Sequence, residues 1–251
     1  MKIAYVIPSP MHLTELGEAE ISRRKQKLQG WAFPGTEVDA LSVDRGPASI
    51  ESAYEEYLTV EPVAQKLRAT EDEGYDASIL GCFGDPGLDG LREISAKPVI
   101  GPAGASMSLA ATLGHRFGIV TVTESIVHAL RRLAWETGVL DALASVRFIN
   151  TPVLELNKSR DEAVTRMVAE GKESIEDGAD TLVLGCMSMG FLDVAEEMSE
   201  ELGIPVINPA KAGLKHAESL VSMGLSQSRK AYFTPPKIES GKNLEGLLVA
   251  P

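Results

Sequence analysis

Gly74-Tyr75-Asp76-Ala77-Ser78-Ile79-Leu80-Gly81-Cys82 returns about 104 positions later as Gly178-Ala179-Asp180-Thr181-Leu182-Val183-Leu184-Gly185-Cys186, with Gly, Asp, Leu, Gly and Cys unchanged. Each copy is a short apolar run that leads into Gly-Cys, the pattern of a buried strand ending at a turn. Two further matches keep the same order. Pro98-Val99-Ile100-Gly101-Pro102-Ala103 pairs with Pro205-Val206-Ile207-Asn208-Pro209-Ala210, and Ile3-Ala4-Tyr5-Val6 pairs more weakly with Ile119-Val120-Thr121-Val122. Any two strand-helix units can share one β-run followed by glycine, but ordered matches along the chain point to duplication of an α/β unit.

On either side of the repeat, strand-like runs fall at 2–7, 36–43, 77–80, 99–100, 118–122, 145–149, 181–184 and 206–207, with helical patterns between them at 125–137, 161–177 and 191–202. This alternation is the rhythm of a parallel α/β sheet. One sheet of eight strands is allowed, but the duplication favours two pseudo-symmetric lobes. Each lobe is then a four-stranded, mainly parallel sheet flanked by helices, with the active site in the cleft between them. The expected division is 1–100 plus about 208–251 for the first lobe and about 101–207 for the second. Residues 234–251 break the rhythm with Pro235-Pro236, Gly241 and Gly246, which predicts a surface-wrapping or partly disordered tail without a catalytic part.

A chain of 251 residues buries a substantial core without disulfide or metal staples. Apolar residues at 44% and charged residues at 24% are globular values. The net charge of -12 repels phosphate backbones and anionic membranes, and an aromatic content of 5% leaves few stacking platforms for bases. The expected partner is a small molecule, with no nucleic acid and no membrane; a homo-oligomer is compatible with the sequence, which does not set its order. The first apolar run is too short for a signal peptide, and no stretch nears the roughly 18 apolar residues of a membrane span. A cytoplasmic location is expected, so Cys82 and Cys186, the two cysteines, are read as thiols.

A residue just past a strand and before a helix faces the crevice in which open α/β sheets bind ligands. Both cysteines occupy that place. Asp85 is expected to cap the helix after Cys82, with Pro86 at its first position, and Ser188 the helix after Cys186. A helix N-terminus favours the thiolate and should bring each thiol pKa down toward neutrality. Taken singly, a free cysteine is usually a small buried hydrophobe. Two equivalent thiols facing each other suit a different task, inversion at a carbon acid, where one base removes a proton from one face and its opposite delivers one to the other.

Gly46-Pro47-Ala48-Ser49-Ile50-Glu51, Cys82-Phe83-Gly84-Asp85-Pro86-Gly87-Leu88-Asp89, Leu184-Gly185-Cys186 and Ser228-Arg229-Lys230-Ala231-Tyr232 before Pro235-Pro236 resemble the hydantoin racemase family of the aspartate/glutamate racemase superfamily. The resemblance runs from about residue 1 to 237. It implies a cofactor-independent racemase of two pseudo-symmetric α/β domains, with Cys82 and Cys186 as its acid/base pair. This chain departs from the family's usual Asn-Pro-Asn-Thr after the first strand, where Pro8-Ser9-Pro10-Met11 stands, so an amide contact gives way to a hydroxyl. Pro102, Ala103 and Gly104 replace a segment that commonly holds a carboxylate, Met187-Ser188-Met189 replaces smaller residues, and Asn208 stands where Asp is frequent.

Candidate substrate-binding residues are Ser9, Thr121 and Thr123 through their hydroxyls, and Phe83, Gly84, Met187 and Ser188 through backbone N–H groups aimed at developing enolate charge. A β-branched threonine also ends a strand for purely structural reasons. His12, His115, His128 and His216 lack metal-ligand spacing and no two cysteines lie close in sequence, so no metal is expected. Gly81, Gly84, Gly87 and Gly90 match neither phosphate-loop pattern, and no nucleotide cofactor is expected.

The expected activity is a cofactor-independent racemase or epimerase at a carbon next to a carbonyl, in a 5-substituted hydantoin, an allantoin-like ureide or a related small polar acid. Alternatives are a free aspartate/glutamate racemase, a maleate-type cis-trans isomerase that uses a thiol nucleophile, and a non-catalytic two-lobed binding protein.

Overall fold

The computed structural model describes residues 1–239 together with Leu244 and Leu247. Strands and helices alternate as β1 (Lys2–Ile7), α1 (Gly17–Trp31), β2 (Glu37–Ser42), α2 (Ala53–Asp72), β3 (Ala77–Leu80), α3 (Leu88–Ile94), β4 (Val99–Ile100) and α4 (Pro102–Leu113). The second series is β5 (Phe117–Thr121), α5 (Val127–Glu136), β6 (Leu143–Phe148), α6 (Arg160–Glu176), β7 (Thr181–Leu184), α7 (Met187–Phe191), α8 (Ala195–Leu202), β8 (Val206–Ile207) and α9 (Pro209–Ser222). A short α10 (Pro236–Glu239) follows. The expectation for the rest of the tail, including Gly241 and Gly246, lies outside the described residues.

The strands form two sheets of four, ordered β2-β1-β3-β4 and β6-β5-β7-β8, and every pairing is parallel. In both, the chain leaves the first strand toward one edge and returns to its other side. That reversal creates a switch point between β1 and β3, and again between β5 and β7, where loops part and leave a crevice at the strand ends. Cys82 follows β3 and Cys186 follows β7.

The conserved letters of the repeat have matching physical duties. Asp76 accepts a hydrogen bond from the Lys2 amide at 2.8 Å, and Asp180 accepts from His115 at 2.7 Å, which ties each copy to the strand beside it. Gly81 donates to Val6 at 2.8 Å and Gly185 to Val120 at 2.7 Å. A Cβ on Gly81 would stand 2.7 Å from the Val6 carbonyl, and one on Gly185 would stand 2.6 Å from Ile119 Cγ2. Only glycine permits this approach.

The second matched segment differs instructively. Asn208 caps α9 with its own side chain, accepting from Ala210 at 3.0 Å and Lys211 at 3.3 Å. Its counterpart Gly101 has no side chain, and α4 is capped from a distance by Asp85, which accepts from Ala103 at 3.1 Å and Gly104 at 3.0 Å. Asp85 therefore does not cap the helix that follows it. That helix begins only at Leu88, after a left-handed Gly87, and Asp85 itself sits at φ 46° so that its carboxylate reaches α4. The cap expected from Ser188 also moves: α7 starts at Met187 with Cys186 in the cap position, and Ser188 lies inside the helix. The pattern expected to be helical from 191 begins as this separate short helix, with α8 starting at Ala195.

One apolar core runs through both sheets, joining Ile3, Tyr5 and Ile7 of β1 to Phe117, Ile119 and Val183 of the second sheet. Phe191 is its anchor. Its ring meets Tyr5 edge-on at 5.5 Å and stacks on Trp31 at 6.1 Å, tying α7 to β1 and α1. Because this core fixes the two switch points against each other, the loops bearing the cysteines are held in register.

Candidate active site

Cys82 and Cys186 line the same cavity, of about 70 Å³, with Ser9, Phe83, Met187 and Ser188 also on its wall. Both thiols are free, Cys186 buried and Cys82 half-buried. The Gly84 amide donates to the Cys82 sulfur at 3.4 Å. Amides of Met189 and Ser188 in the first turn of α7 are directed at the Cys186 sulfur. Both thiols thus have the backbone donors that a thiolate needs.

Burial nevertheless outweighs those donors. It pushes both thiols upward from their ordinary value, the opposite of the shift expected from a helix N-terminus alone. The surroundings are unequal. The carboxylates of Glu56 and Asp85 raise Cys82 further, whereas the Arg24 guanidinium favours the thiolate of Cys186. Asp85, itself buried, is pushed up to about 7 in spite of its two backbone donors.

Three sequence candidates stand elsewhere. Thr121 is fully buried and gives its hydroxyl to the Gly185 carbonyl at 2.9 Å, so it braces the repeat glycine and does not face the cavity. Thr123 is 3.0 Å from the Ser125 hydroxyl, outside the lining. Gly84 turns its amide to Cys82 but forms part of the wall of a second, larger cavity of about 640 Å³, which holds neither thiol. His12 lies 3.0 Å from the Ser42 hydroxyl and does not line the thiol cavity. Among the described residues, no group of three or more His, Cys, Asp or Glu is arranged to hold a metal.

Arg24 and Ser49 also line the thiol cavity, though neither is among the residues the sequence marks as substrate-binding. Arg24 left a faint trace in the sequence. It shares the buried face of α1 with Ile21 and Leu28, a helical spacing that would otherwise mark a core position.

Residues 17–217 match the family described as Asp/Glu/Hydantoin racemase. The chain belongs to this family. It is 38% identical over 206 residues to a hydantoin racemase of Pseudomonas sp. (strain NS671), covering 81% of this chain and 82% of that one. A hydantoin racemase of Paenarthrobacter aurescens is 35% identical over 204 residues, 80% of this chain and 86% of its own. The structure superimposes on allantoin racemase from Klebsiella pneumoniae with a TM-score of 0.85, at 31% identity over 94% of each chain. Two parallel four-stranded sheets flanked by helices are thus the fold of this family, and the chain is a racemase of the aspartate/glutamate racemase superfamily.

Proposed function

We propose that this racemase inverts a carbon next to a carbonyl by a two-thiol acid/base reaction, on a 5-substituted hydantoin, an allantoin-like ureide or a related small polar acid. The observation that carries the reading is the single small cavity lined by two thiols from equivalent strand ends of a duplicated unit. One sulfur, as thiolate, takes the proton as the carbon–hydrogen bond breaks, and the electron pair moves onto the adjacent carbonyl oxygen as an enolate. The opposing thiol then gives its proton to the other face of the carbon. Proton and charge balance without oxidation or reduction, so no cofactor is called for. The two lobes of this reading are 1–100 with about 208–251, and about 101–207, in a cytoplasmic enzyme.

Arg24 beside Cys186 and the acids beside Cys82 favour Cys186 as the starting thiolate and Cys82 as the starting thiol. Phe83, Met187 and Ser188 line the same wall, and their backbone amides are the donors proposed for the enolate oxygen, that of Ser188 shared with the Cys186 sulfur.

The test is replacement of one sulfur at a time. In Cys82→Ser, net inversion should fall by about 10³-fold or more, since serine is too weak an acid to serve as base near neutral pH. Cys186 should still remove and return the proton of one enantiomer, seen by NMR as deuterium uptake in D₂O with retained configuration. Cys186→Ser should exchange the other enantiomer. Exchange of the same enantiomer by both variants, or near wild-type inversion by either, would reject opposed bases and favour single-thiol nucleophilic chemistry.

A further inference from the structure

Among the described residues, Arg24 is the one charged side chain on the wall of the thiol cavity; the rest of that wall is thiol, hydroxyl, backbone and apolar surface. The side chain is 3% exposed. It reaches the cavity from α1 and is held from behind: Nε donates to Glu20 at 2.8 Å, Nη2 donates to the Ser188 hydroxyl at 3.1 Å, and the guanidinium carbon lies 4.8 Å from the centre of the Phe191 ring. The Tyr5 hydroxyl is its other hydrogen-bonding neighbour. Five guanidinium donors thus meet few protein acceptors.

Glu20 does not balance this charge alone. The same carboxylate is gripped by Arg23, whose Nε and Nη2 donate to it at 2.6 and 2.8 Å. Two guanidinium groups share one carboxylate and, among the described residues, no acid lines the cavity, so Glu20 leaves Arg24 only partly balanced on the cavity side, where the Cys186 thiolate of the proposed pair is the anion that faces it. A buried cation is costly unless an anion completes it. A ring carbonyl offers a single neutral acceptor. A carboxylate offers two charged oxygens that match the guanidinium fork.

Resting on the racemase reading, we propose that Arg24 selects the substrate, and that the substrate carries a carboxylate held by Arg24 on the Cys186 side of the reacting carbon. The carboxylate could hang from a hydantoin or ureide side chain, or sit directly on the reacting carbon of a free amino acid. Either would place two negative charges in the cavity once the enolate forms. Arg24 offsets one of them.

The experiment measures α-proton exchange in D₂O and inversion for three sets of single-enantiomer probes: 5-methylhydantoin and allantoin, hydantoin-5-acetate and hydantoin-5-propionate, and aspartate and glutamate. In the wild-type protein, one carboxylate-bearing set should exceed the neutral set by about 100-fold in kcat/KM, and which one does so identifies the source of the carboxylate. Arg24→Gln should lower kcat/KM for that set at least about tenfold more than for the neutral set, mainly through KM, and Arg24→Lys should recover part of the loss. Equal or better turnover of the neutral probes by wild type overturns the proposal while leaving the racemase intact, and so does an equal loss on both sets in Arg24→Gln. Should Arg24→Gln fail to melt cooperatively, the wild-type preference and Arg24→Lys decide. Absence of exchange with every probe is a different result, which rejects the racemase reading itself and this proposal with it.

Discussion

Glu56 and Cys82 meet across Gly84: a Cβ on Gly84 would collide with the Glu56 carboxylate while standing 3.5 Å from the Cys82 sulfur. The Glu56 side chain is 7% exposed and, among the described residues, its ion-pair partner is Arg132 at 4.0 Å. A nearly unpaired buried carboxylate thus stands behind one thiol of the pair. Gly84→Ala should displace either the carboxylate or the Cys82 loop. Racemisation should fall by at least about tenfold while the far-UV spectrum is kept, because a shift of under an ångström misaligns a proton transfer. Wild-type turnover in this variant would show that the loop absorbs the extra methyl group.

The same arrangement predicts unequal thiol reactivity. With limiting iodoacetamide, peptide mass spectrometry should find Cys186 modified before Cys82, since only the thiolate reacts and Arg24 favours it at Cys186. Both thiols are raised by burial, so the thiolate fraction, and with it inactivation, should keep climbing as pH rises past 8. Glu56→Gln removes a negative charge near Cys82 and should speed its alkylation severalfold. No change in the Cys82 rate would remove Glu56 from the electrostatics of the site.

Asp85 predicts a pH-dependent stability. Its folded value of about 7 lies above the roughly 3.9 of an unfolded aspartate, so between these values the folded protein holds the extra proton. The contribution is present in full below about pH 4 and is lost as pH rises through 7. Stability should therefore decline over this window by up to about 1.4 kcal/mol per pH unit from this group. Asp85→Asn should flatten that decline in urea melts, while Asp85→Ala, which removes the cap on α4, should cost about 1 kcal/mol or more at pH 7.

Phe191 links the core to the cavity. Phe191→Ala should destabilise the fold by about 3–5 kcal/mol, through lost packing against Tyr5 and Trp31, and free the Arg24 guanidinium that lies over its ring. Thermal melts and KM should therefore worsen together. A variant that loses stability without any change in KM would separate the core role of Phe191 from Arg24.

The duplicated α/β architecture is legible in the residues alone, because hydrophobic periodicity and the repeated Gly-x-Asp and Gly-Cys are local requirements. A strand buried on both faces needs a continuous apolar run, and the close approach of Gly81 to Val6 and of Gly185 to Ile119 needs the absence of a side chain. The sequence also placed Cys82 and Cys186 at strand ends. Relationships between distant segments emerge only when the chain folds. Asp85 caps a helix that begins at Pro102 in place of the adjacent one, because Gly101 leaves room for its carboxylate. The thiol pKa shifts follow from enclosure by both halves and cannot be read from a helix terminus. Arg24 looks like an intruder on an apolar helix face until Phe191 and Ser188, more than 160 residues on, turn its guanidinium into the cavity. Sequence patterning records which face a residue takes; the charge and solvent it meets there depend on what folds back against that face.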